Sequence, residues 1–352
     1  MAQDRVTSQD VARRAGVSQS AVSRTFTPDS SVSAKTAEKV RLAAKELGYR
    51  PNILARSLIT GKSRIIGVIV SYLDNFFYPV ALEKLSKALQ AEGYHALIFM
   101  AAQTEQPVSE HTGYNDSENE GAIGSIVGDI LDYQVDGIVL ASISLSSTLA
   151  ERCQSAGVPV VLFNRSQTGD HISSVTSDNF AGGIKVAEYL VQTGHKRPAF
   201  IAGLAAASTQ RDREAGFLTG LAATGVPLYW RGYGHYDYAK AQRAARAMMG
   251  IHPLPDAVFV ANDHMTFAVM DVIRSEFGVS IPEDISVIGY DDVPLSSWPT
   301  YNLTTVRQPA DEMVSETVSL ILNQIQLGET ASVRKAIDGP LILRGSCRNR
   351  HE

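Results

Sequence analysis

Residues 7–26 read TSQDVARRAGVSQSAVSRTF, and they carry the strongest structural signal in the N-terminal part of the chain. It holds two short segments with a helical pattern, joined at residues 15–17 by the small residues Ala-Gly-Val. Thr7 or Ser8 is a suitable N-cap for the first helix, and Ser18 is a suitable N-cap for the second. Because small side chains allow two helices to cross closely, the stretch predicts a helix-turn-helix.

A third helix is predicted over Ala34–Leu47, with Ser33 as its cap and Gly48 at its end. In a helix-turn-helix, the second helix places its N-terminal end in the major groove of DNA. We therefore expect three side chains of that helix to face bases and a fourth to reach a guanine edge or a phosphate. In chain order these side chains are Gln19, Ser20, Ala21 and Arg24. The pattern alone leaves open a three-helix bundle with a structural role.

The charge of the chain is unevenly distributed. Residues 1–62 contain 11 Lys and Arg against 5 Asp and Glu, which gives +6, whereas the whole chain has a net charge of −5. The remaining residues therefore carry −11, from 21 Lys and Arg against 32 Asp and Glu. A basic head on an acidic body indicates that the head binds a polyanion and the body does not. Chance clustering of charge is the alternative.

The sequence of the head resembles that of one known family. The segments VTSQDVARRAGVSQSAVSRTF (6–26) and VSAKTAEKVRLAAKELGYRPNILARSLITGKS (32–63) are similar to the head of the lactose-repressor (LacI/GalR) family of bacterial transcription regulators. The most specific parts are AGVS (15–18), VSR (22–24), LGYRPN (47–52) and ARSL (55–58). The resemblance continues through most of the chain.

The resemblance implies a helix-turn-helix domain over residues 1–50 and a hinge helix with its linker over 51–62. A leucine at the position of Leu58 would be wedged into the minor groove at the operator centre, which unstacks a base step and bends the duplex. A buried leucine on a linker helix is the alternative for Leu58. The full set of DNA-binding residues implied is Thr7, Ser18, Gln19, Ser20, Ala21, Ser23, Arg24, Asn52, Ala55 and Leu58.

The body, residues 63–352, alternates apolar runs with amphipathic segments. Buried strands are predicted at 65–70, 95–101, 137–142, 158–164, 197–203, 257–262 and 285–290. Helices are predicted over 80–92, 179–193 and 239–249, and the polar stretch 103–125 is expected to be a loop leading into a helix over 121–133. Alternation of strand and helix, occurring twice, predicts an α/β core of two doubly wound parallel-sheet subdomains.

The resemblance implies a core of periplasmic-binding-protein type, in which the chain crosses three times between the subdomains. We expect the crossings near 166–171, 306–310 and 328–338. Subdomain 1 would then comprise about 63–165 and 310–328, and subdomain 2 about 166–309 and 335–346. Core and head together predict an all-α helix-turn-helix head followed by an α/β body that binds an effector and dimerises.

Polar side chains follow several predicted strands, and in doubly wound sheets a ligand lies at the carboxyl ends of strands. Amide and carboxylate oxygens bind sugar hydroxyls, a guanidinium binds a hydroxyl pair or a carboxylate, and tyrosine rings cover an apolar sugar face. The resemblance and this chemistry together give the candidate effector residues Tyr72, Asn164, Arg165, Arg213, Tyr236, Asn262, Asp291 and Gln308.

Structural roles are open for some of these residues. Asn262 or Asp263 is placed to cap the helix that follows it. Arg165 is placed to form an ion pair with Asp178 or Asp291. In the segment YLDNFFYP (72–79), Asn75-Phe76 replaces the Asn-Pro that is common in the family, and we expect the same strand-to-helix turn with changed contacts.

An enzyme and an exported binding protein are the alternative functions. The chain has no nucleotide-binding glycine motif after a strand, no nucleophile elbow, and eight histidines without metal spacing. Cys153 and Cys347 give neither a disulfide framework nor a zinc pattern, and there is no signal peptide and no membrane-length apolar run.

The sequence therefore predicts a cytoplasmic regulator that is not an enzyme, without cofactor, metal or membrane contact. We expect a homodimer and not a tetramer held by a terminal coiled coil, because no leucine heptads precede Glu352. The expected partners are a palindromic operator in double-stranded DNA and a small-molecule effector, a sugar or a sugar acid, that acts allosterically. The effector would either release DNA or promote binding.

Overall fold

The computed structural model describes residues 6–27, 31–50, 62–101, 116–143, 146–167, 172–328 and 331–348, with the side chains of 116–122 and 147 left out. The chain divides into a head, residues 1–64 with 134–136, and a body, residues 65–133 and 137–352. Among the helices of the described part, none combines the length and the apolar character that crossing a membrane requires.

The head contains α1 (Ser8–Ala15), α2 (Gln19–Thr25) and α3 (Ala34–Leu47), as the sequence predicts. Thr7 caps α1, and its backbone N–H donates in return to the Asp10 carboxylate at 2.9 Å. Gly16 ends α1 with φ +64°, a left-handed conformation that glycine adopts without strain. A small core holds the helices together, and it comprises Val11, Ala12, Val22, Val40, Ala43 and Ala44.

The first half of the body contains β1 (Ile65–Val70), α4 (Phe77–Ala91), β2 (His95–Met100), α5 (Asp116–Asp132), β3 (Gly137–Ala141), α6 (Ser147–Ser155), β4 (Val160–Phe163) and β5 (Ser173–Ser177). The second half contains α7 (Asn179–Gln192), β6 (Pro198–Ala202), α8 (Ser208–Ala223), β7 (Trp230–Tyr233), α9 (Tyr238–Met249), β8 (Ala257–Val260), α10 (Asp263–Ser275), β9 (Ser286–Asp291), the 3-10 helix Pro294–Ser297 and β10 (Thr304–Arg307). The chain then forms α11 (Ala310–Leu327), β11 (Arg334–Ile337) and β12 (Leu341–Ile342).

These strands form two sheets of six. The first has the order β11-β5-β4-β3-β1-β2, and its neighbouring strands are all parallel. The second has the order β12-β10-β9-β8-β6-β7 and is parallel except where β12 pairs with β10. The predicted pair of doubly wound parallel-sheet subdomains is therefore confirmed.

The strand pairing moves two of the expected crossings later in the chain. β5 pairs with β4 in the first sheet, so the first crossing follows Ser177 and does not lie at 166–171. β11 pairs with β5, so the third crossing lies at residues 338–340, and residues 335–337 belong to the first sheet instead of the second. The middle crossing, between β10 and α11, falls within the expected 306–310.

In the described part of the chain, the strands that sequence reasoning overlooked are β5, β7, β10, β11 and β12, each of five residues or fewer. β5 reads SSVTS and is fully buried, because it lies between β4 and β11 and its serines form hydrogen bonds within the body. The helix expected over 121–133 begins five residues earlier, at Asp116, and residues 102–115 lie outside the described part.

Candidate functional site

The N-terminal end of α2 presents a polar surface on the head. Ser18, Gln19, Ser20 and Arg24 are exposed, whereas Ala21 and Ser23 are half-buried. The Ser18 hydroxyl accepts a hydrogen bond from the Ala21 N–H at 3.2 Å, so this residue caps the helix. The Gln19 side chain donates to the Ser8 hydroxyl at 3.0 Å, which ties the start of α2 to α1.

The other predicted DNA-binding residues differ in what the structure says of them. Thr7 is exposed and belongs to the capping pair of α1. Arg24 extends from the last turn of α2, and its Nε donates to the backbone carbonyl of Ser20 at 3.3 Å. Asn52, Ala55 and Leu58 lie outside the described residues, as does the predicted hinge helix.

In the body, the predicted effector residues gather where strands of both sheets end. Asn164 and Arg165 directly follow β4 of the first sheet. Asn262 follows β8, Asp291 ends β9, and Gln308 follows β10, all in the second sheet. Hydrogen bonds from Asn75 to Asp291 and from Arg165 to Thr209 connect the two halves, so the site lies at the carboxyl ends of strands from both halves of the body.

The centre of the site is a buried pair formed by Arg213 of α8 and Asp291. The Arg213 Nη2 lies 3.5 Å from the Asp291 Oδ1, and both side chains are almost fully buried. Arg213 also donates from Nε to the Asn179 side chain at 2.8 Å and from Nη1 to the Ala261 carbonyl at 2.5 Å. Its guanidinium lies over the ring of Tyr290, with Cζ 3.7 Å from the ring centroid. Arg213 is thereby held in one orientation.

Asp291 connects the two halves of the body. Its Oδ1 accepts from the Gln308 Nε2 at 2.6 Å, and its Oδ2 accepts from the Asn75 Nδ2 at 3.2 Å. Asn75 precedes α4 in the first half, and its Oδ1 accepts from the Phe77 N–H at 3.1 Å, which fixes the expected strand-to-helix turn. Asp291 has φ +128°, an unfavourable backbone conformation of the kind found at functional sites.

The environment of Asp291 favours its protonated form. Burial raises the pKa of this carboxyl to about 7, against the opposing effect of the Arg213 guanidinium; the nearby Asp263 raises the pKa further. The free energy lost when the Asp291 carboxylate is removed from water exceeds the free energy gained from its ion pair with Arg213. The charge of the site therefore changes near neutral pH.

Arg165 forms neither of the ion pairs, with Asp178 or with Asp291, that the sequence left open. Its Nη1 donates to the Thr209 hydroxyl at 2.6 Å and its Nη2 to the Ser142 hydroxyl at 3.1 Å. Within the described residues, the ion pairs include neither Arg165 with Asp178 nor Arg165 with Asp291. Ser142 follows β3 and Thr209 lies on α8, so Arg165 also connects the two halves.

Asn262 and Asp263 have different roles. The Asn262 Oδ1 accepts from the Met265 N–H at 3.0 Å and so caps α10. The Asp263 carboxylate is fully buried and accepts from the Val293 N–H and from the hydroxyls of Ser296 and Thr305. Asp263 therefore holds the turn after β9 in place and is structural.

Three buried polar atoms of the site have no hydrogen-bond partner among the residues that the structure describes: Asn164 Oδ1, Asn262 Nδ2 and Gln308 Oε1. In each of these side chains the other polar atom forms a hydrogen bond. Asn164 Nδ2 donates to the Tyr78 hydroxyl at 3.2 Å, Asn262 Oδ1 accepts from the Met265 N–H, and Gln308 Nε2 donates to Asp291. Buried polar atoms without partners are rare in native proteins, and a ligand with hydroxyl groups would satisfy both acceptors and the donor. A cavity of about 590 Å³ adjoins Asp291 and Gln308 and is lined in part by Phe76, Phe77 and Val80.

The predicted tyrosines border this site. Tyr72 packs edge-on against Tyr78, with ring centroids 5.4 Å apart, and burial raises the pKa of both phenols. The Tyr236 hydroxyl lies 3.5 Å from the Thr209 hydroxyl, so this ring lies beside α8.

Sequence reasoning missed the residues that position others. Asn75, Tyr78 and Asn179 hold Asp291, Asn164 and Arg213 respectively, and Ser142 and Thr209 hold Arg165. The sequence analysis names Asn75 only for the turn that it begins, since the departure from the family pattern lies at the next residue, Phe76. The other four carry no local signal, because their partners are distant in sequence.

The chain matches known proteins over almost its whole length. Residues 7–52 match the bacterial regulatory proteins of the lacI family, and residues 187–347 match the periplasmic binding protein-like domain. The HTH-type transcriptional regulator CelR of Thermobifida fusca is 32% identical over 97% of this chain and 98% of its own length.

Two solved structures extend the comparison. One is the lac repressor dimer bound to operator and the anti-inducer ONPF, with a TM-score of 0.84, 28% identity, and coverage of 97% of this chain and 99% of that chain. The other is the CelR–cellobiose complex, with a TM-score of 0.71, 29% identity, and coverage of 97% and 100%. The fold and the site therefore define a ligand-binding body joined to a DNA-reading head. The chain belongs to the LacI family of transcriptional regulators and is not an enzyme.

Proposed function

We propose that this protein is a homodimeric repressor whose affinity for a palindromic operator is set by a small molecule bound in the body. The observation that carries the proposal is the set of three unpartnered buried atoms around the Arg213–Asp291 pair. They lie between two sheets that the chain crosses three times, a place where a ligand contacts both halves at once.

The head supplies the DNA contacts. The exposed side chains of Gln19, Ser20 and Arg24 read base edges in the major groove, while Thr7, Ser18, Ala21 and Ser23 approach the backbone or the bases beside them. A two-fold dimer presents two heads to two half-sites, so the operator is a palindrome. Asn52, Ala55 and Leu58 complete the contacts at its centre, with Leu58 as the minor-groove wedge.

The body supplies the switch. Asn75–Asp291 and Arg165–Thr209 are hydrogen bonds between the two halves, and both involve predicted ligand contacts. An effector that replaces or strengthens these bonds changes the relative population of two arrangements of the halves, and it does so only by its differential affinity for them. Couplings of this kind amount to about 1–3 kcal/mol.

The relatives support both parts. The lac repressor structure holds an operator and a small molecule in one dimer, and CelR holds cellobiose. For this chain we propose a sugar or a sugar acid as the effector, with Tyr72 and Tyr236 against its apolar face and Asn164, Asn262 and Gln308 on its hydroxyls. Because it acts on DNA, we propose that the protein works in the cytoplasm.

The test is a titration of operator affinity by fluorescence anisotropy, with the full-length protein and an operator recovered from random duplexes. Addition of a fractionated extract of small metabolites should change the affinity about 5-fold to 150-fold. The same fraction should leave the operator affinity of an Asp291→Ala variant unchanged. An extract that changes the wild-type protein and the variant equally would show that the response does not pass through this site.

A further inference from the structure

Arg165 is the one arginine of the site that has no carboxylate beside it in the described part of the chain. Its side chain is buried, with 5% of the residue exposed. Its two hydrogen bonds are to neutral hydroxyls, those of Thr209 and Ser142. Arg213, by contrast, is paired with Asp291.

A buried guanidinium with only neutral partners is costly. Removal of a charge from water is unfavourable unless an opposite charge and hydrogen bonds replace the water. A guanidinium offers five N–H donors in a planar fork, and the two hydroxyls engage two of them. The remaining donors have the geometry that a carboxylate or a phosphate accepts in a bidentate manner.

The neighbours of Arg165 suit a ligand that carries both an anionic group and hydroxyl groups. The adjacent Asn164 has an unpartnered acceptor, Oδ1, at 3% residue exposure. The phenols of Tyr72 and Tyr78 lie close enough to Arg165 for its charge to lower their pKa values, although burial outweighs this effect. Both phenols thus stay protonated at neutral pH and can donate to an anion.

We propose that the effector is an anionic polyol, a sugar acid or a sugar phosphate, and that Arg165 binds its anionic group. This inference rests on the proposed function, because it names the chemical class of ligand for the same site. A neutral sugar leaves the Arg165 charge buried without a counterion, whereas a carboxylate or a phosphate neutralises it. The site therefore selects an anionic ligand because a neutral ligand leaves the buried Arg165 charge unpaired, which is unfavourable.

Calorimetric titration of the full-length protein with matched ligands tests the proposal. The probes are D-glucose, D-glucuronate and D-glucose 6-phosphate, with D-galactose, D-galacturonate and D-galactose 6-phosphate as a second set. An acid or a phosphate should bind at least 10-fold tighter than its neutral counterpart. Arg165→Gln should abolish this preference, and Arg165→Lys, which keeps the charge, should retain part of it. The carboxylate and phosphate probes distinguish the two sources of the anion.

Arg211→Gln is the matched control. Arg211 is an exposed arginine on α8 whose Nη1 donates to the Ala206 carbonyl, so its loss removes the same charge outside the site. This variant should keep the anion preference.

A second measurement decides the question if none of the six sugars binds. Inorganic phosphate should raise the melting temperature of the wild-type protein more than that of Arg165→Gln, with chloride used to hold the ionic strength constant. An equal rise in both proteins, or a neutral sugar that binds as tightly as its acid, would overturn the proposal. If a neutral sugar binds as tightly as its acid and also changes operator affinity, the anion proposal is wrong but the proposed function is supported. If no operator is recovered, the proposed function fails whatever the anion result.

Discussion

At the scale of single residues, Arg24 is the side chain on which DNA reading depends most directly. It is exposed at the end of α2 and oriented by its contact with the Ser20 carbonyl. Arg24→Ala should weaken operator binding by about 1–3 kcal/mol, because a guanidinium contact to guanine or phosphate is lost. Arg41→Ala is the control, since Arg41 is exposed on α3, outside the proposed contact set. Equal losses in both variants would attribute the effect to total charge alone.

Asp291 should make stability depend on pH. Its pKa is about 7 in the folded protein, whereas the usual value of 3.8 applies to the unfolded chain. The folded protein therefore binds the proton more tightly than the unfolded chain does. The resulting stabilisation is fully present below pH 4 and is lost as the pH rises through 7. Between pH 5 and 7 this group should lower the free energy of unfolding by about 1.4 kcal/mol per pH unit.

Urea unfolding of the wild-type protein and of Asp291→Asn at several pH values measures this effect. The variant lacks the titrating group, so its stability should change less steeply over the same interval. Identical slopes would mean that Asp291 has an ordinary pKa in the folded protein. Asn at this position replaces a carboxylate whose ionisation the folded protein disfavours, so the variant should be at least as stable as the wild-type protein at pH 8.

At the scale of elements, the contact between α7 and α8 positions Arg213. A Cβ atom on Gly183 of α7 would lie 2.2 Å from the Arg213 carbonyl oxygen and 2.6 Å from the Phe217 nitrogen. Gly183→Ala should therefore separate the helices, destabilise the fold by about 1–3 kcal/mol, and displace the Arg213 guanidinium from Asp291. Thermal unfolding and effector titration measure the two consequences.

Gly250→Ala is the control for this prediction. Gly250 has φ −78°, and a Cβ atom there would meet its nearest neighbour, the Ala247 carbonyl oxygen, at 3.4 Å, an ordinary contact. This variant should unfold within about 1 kcal/mol of the wild-type protein. A Gly183→Ala protein that is equally stable and responds normally to effector would show that the close helix contact is dispensable.

The elements also show how far the sequence alone leads. The three head helices and the seven apolar strands carry strong local signals, namely caps at Thr7 and Ser18 and continuous runs such as IIGVIV at 65–70. β5 and β11 are not predicted from the sequence, because they are short and polar. Their place in the first sheet depends on pairing with strands that are distant in sequence. The ligand residues follow strands and were predictable, whereas the partners of Arg165 depend on which residues the fold brings together.

Recognition of a palindromic operator by the proposed repressor requires two heads, and therefore a dimer of the whole molecule. Sedimentation of the purified protein should give twice the 38.0 kDa mass of the chain at micromolar concentration. A monomer at that concentration would require the two half-sites to be bound independently, and palindromic recognition would then need another explanation.

Selection of binding sites from a random duplex library, with the full-length protein at near-physiological salt, is the most direct test of the central claim that this chain is a sequence-specific regulator. We expect a palindrome with a fixed central step, since two α2 helices read the half-sites and the hinge contacts the centre. Recovery only in the presence of a metabolite extract would identify the effector as a co-repressor. Failure to enrich any sequence, with and without the extract, would contradict the claim.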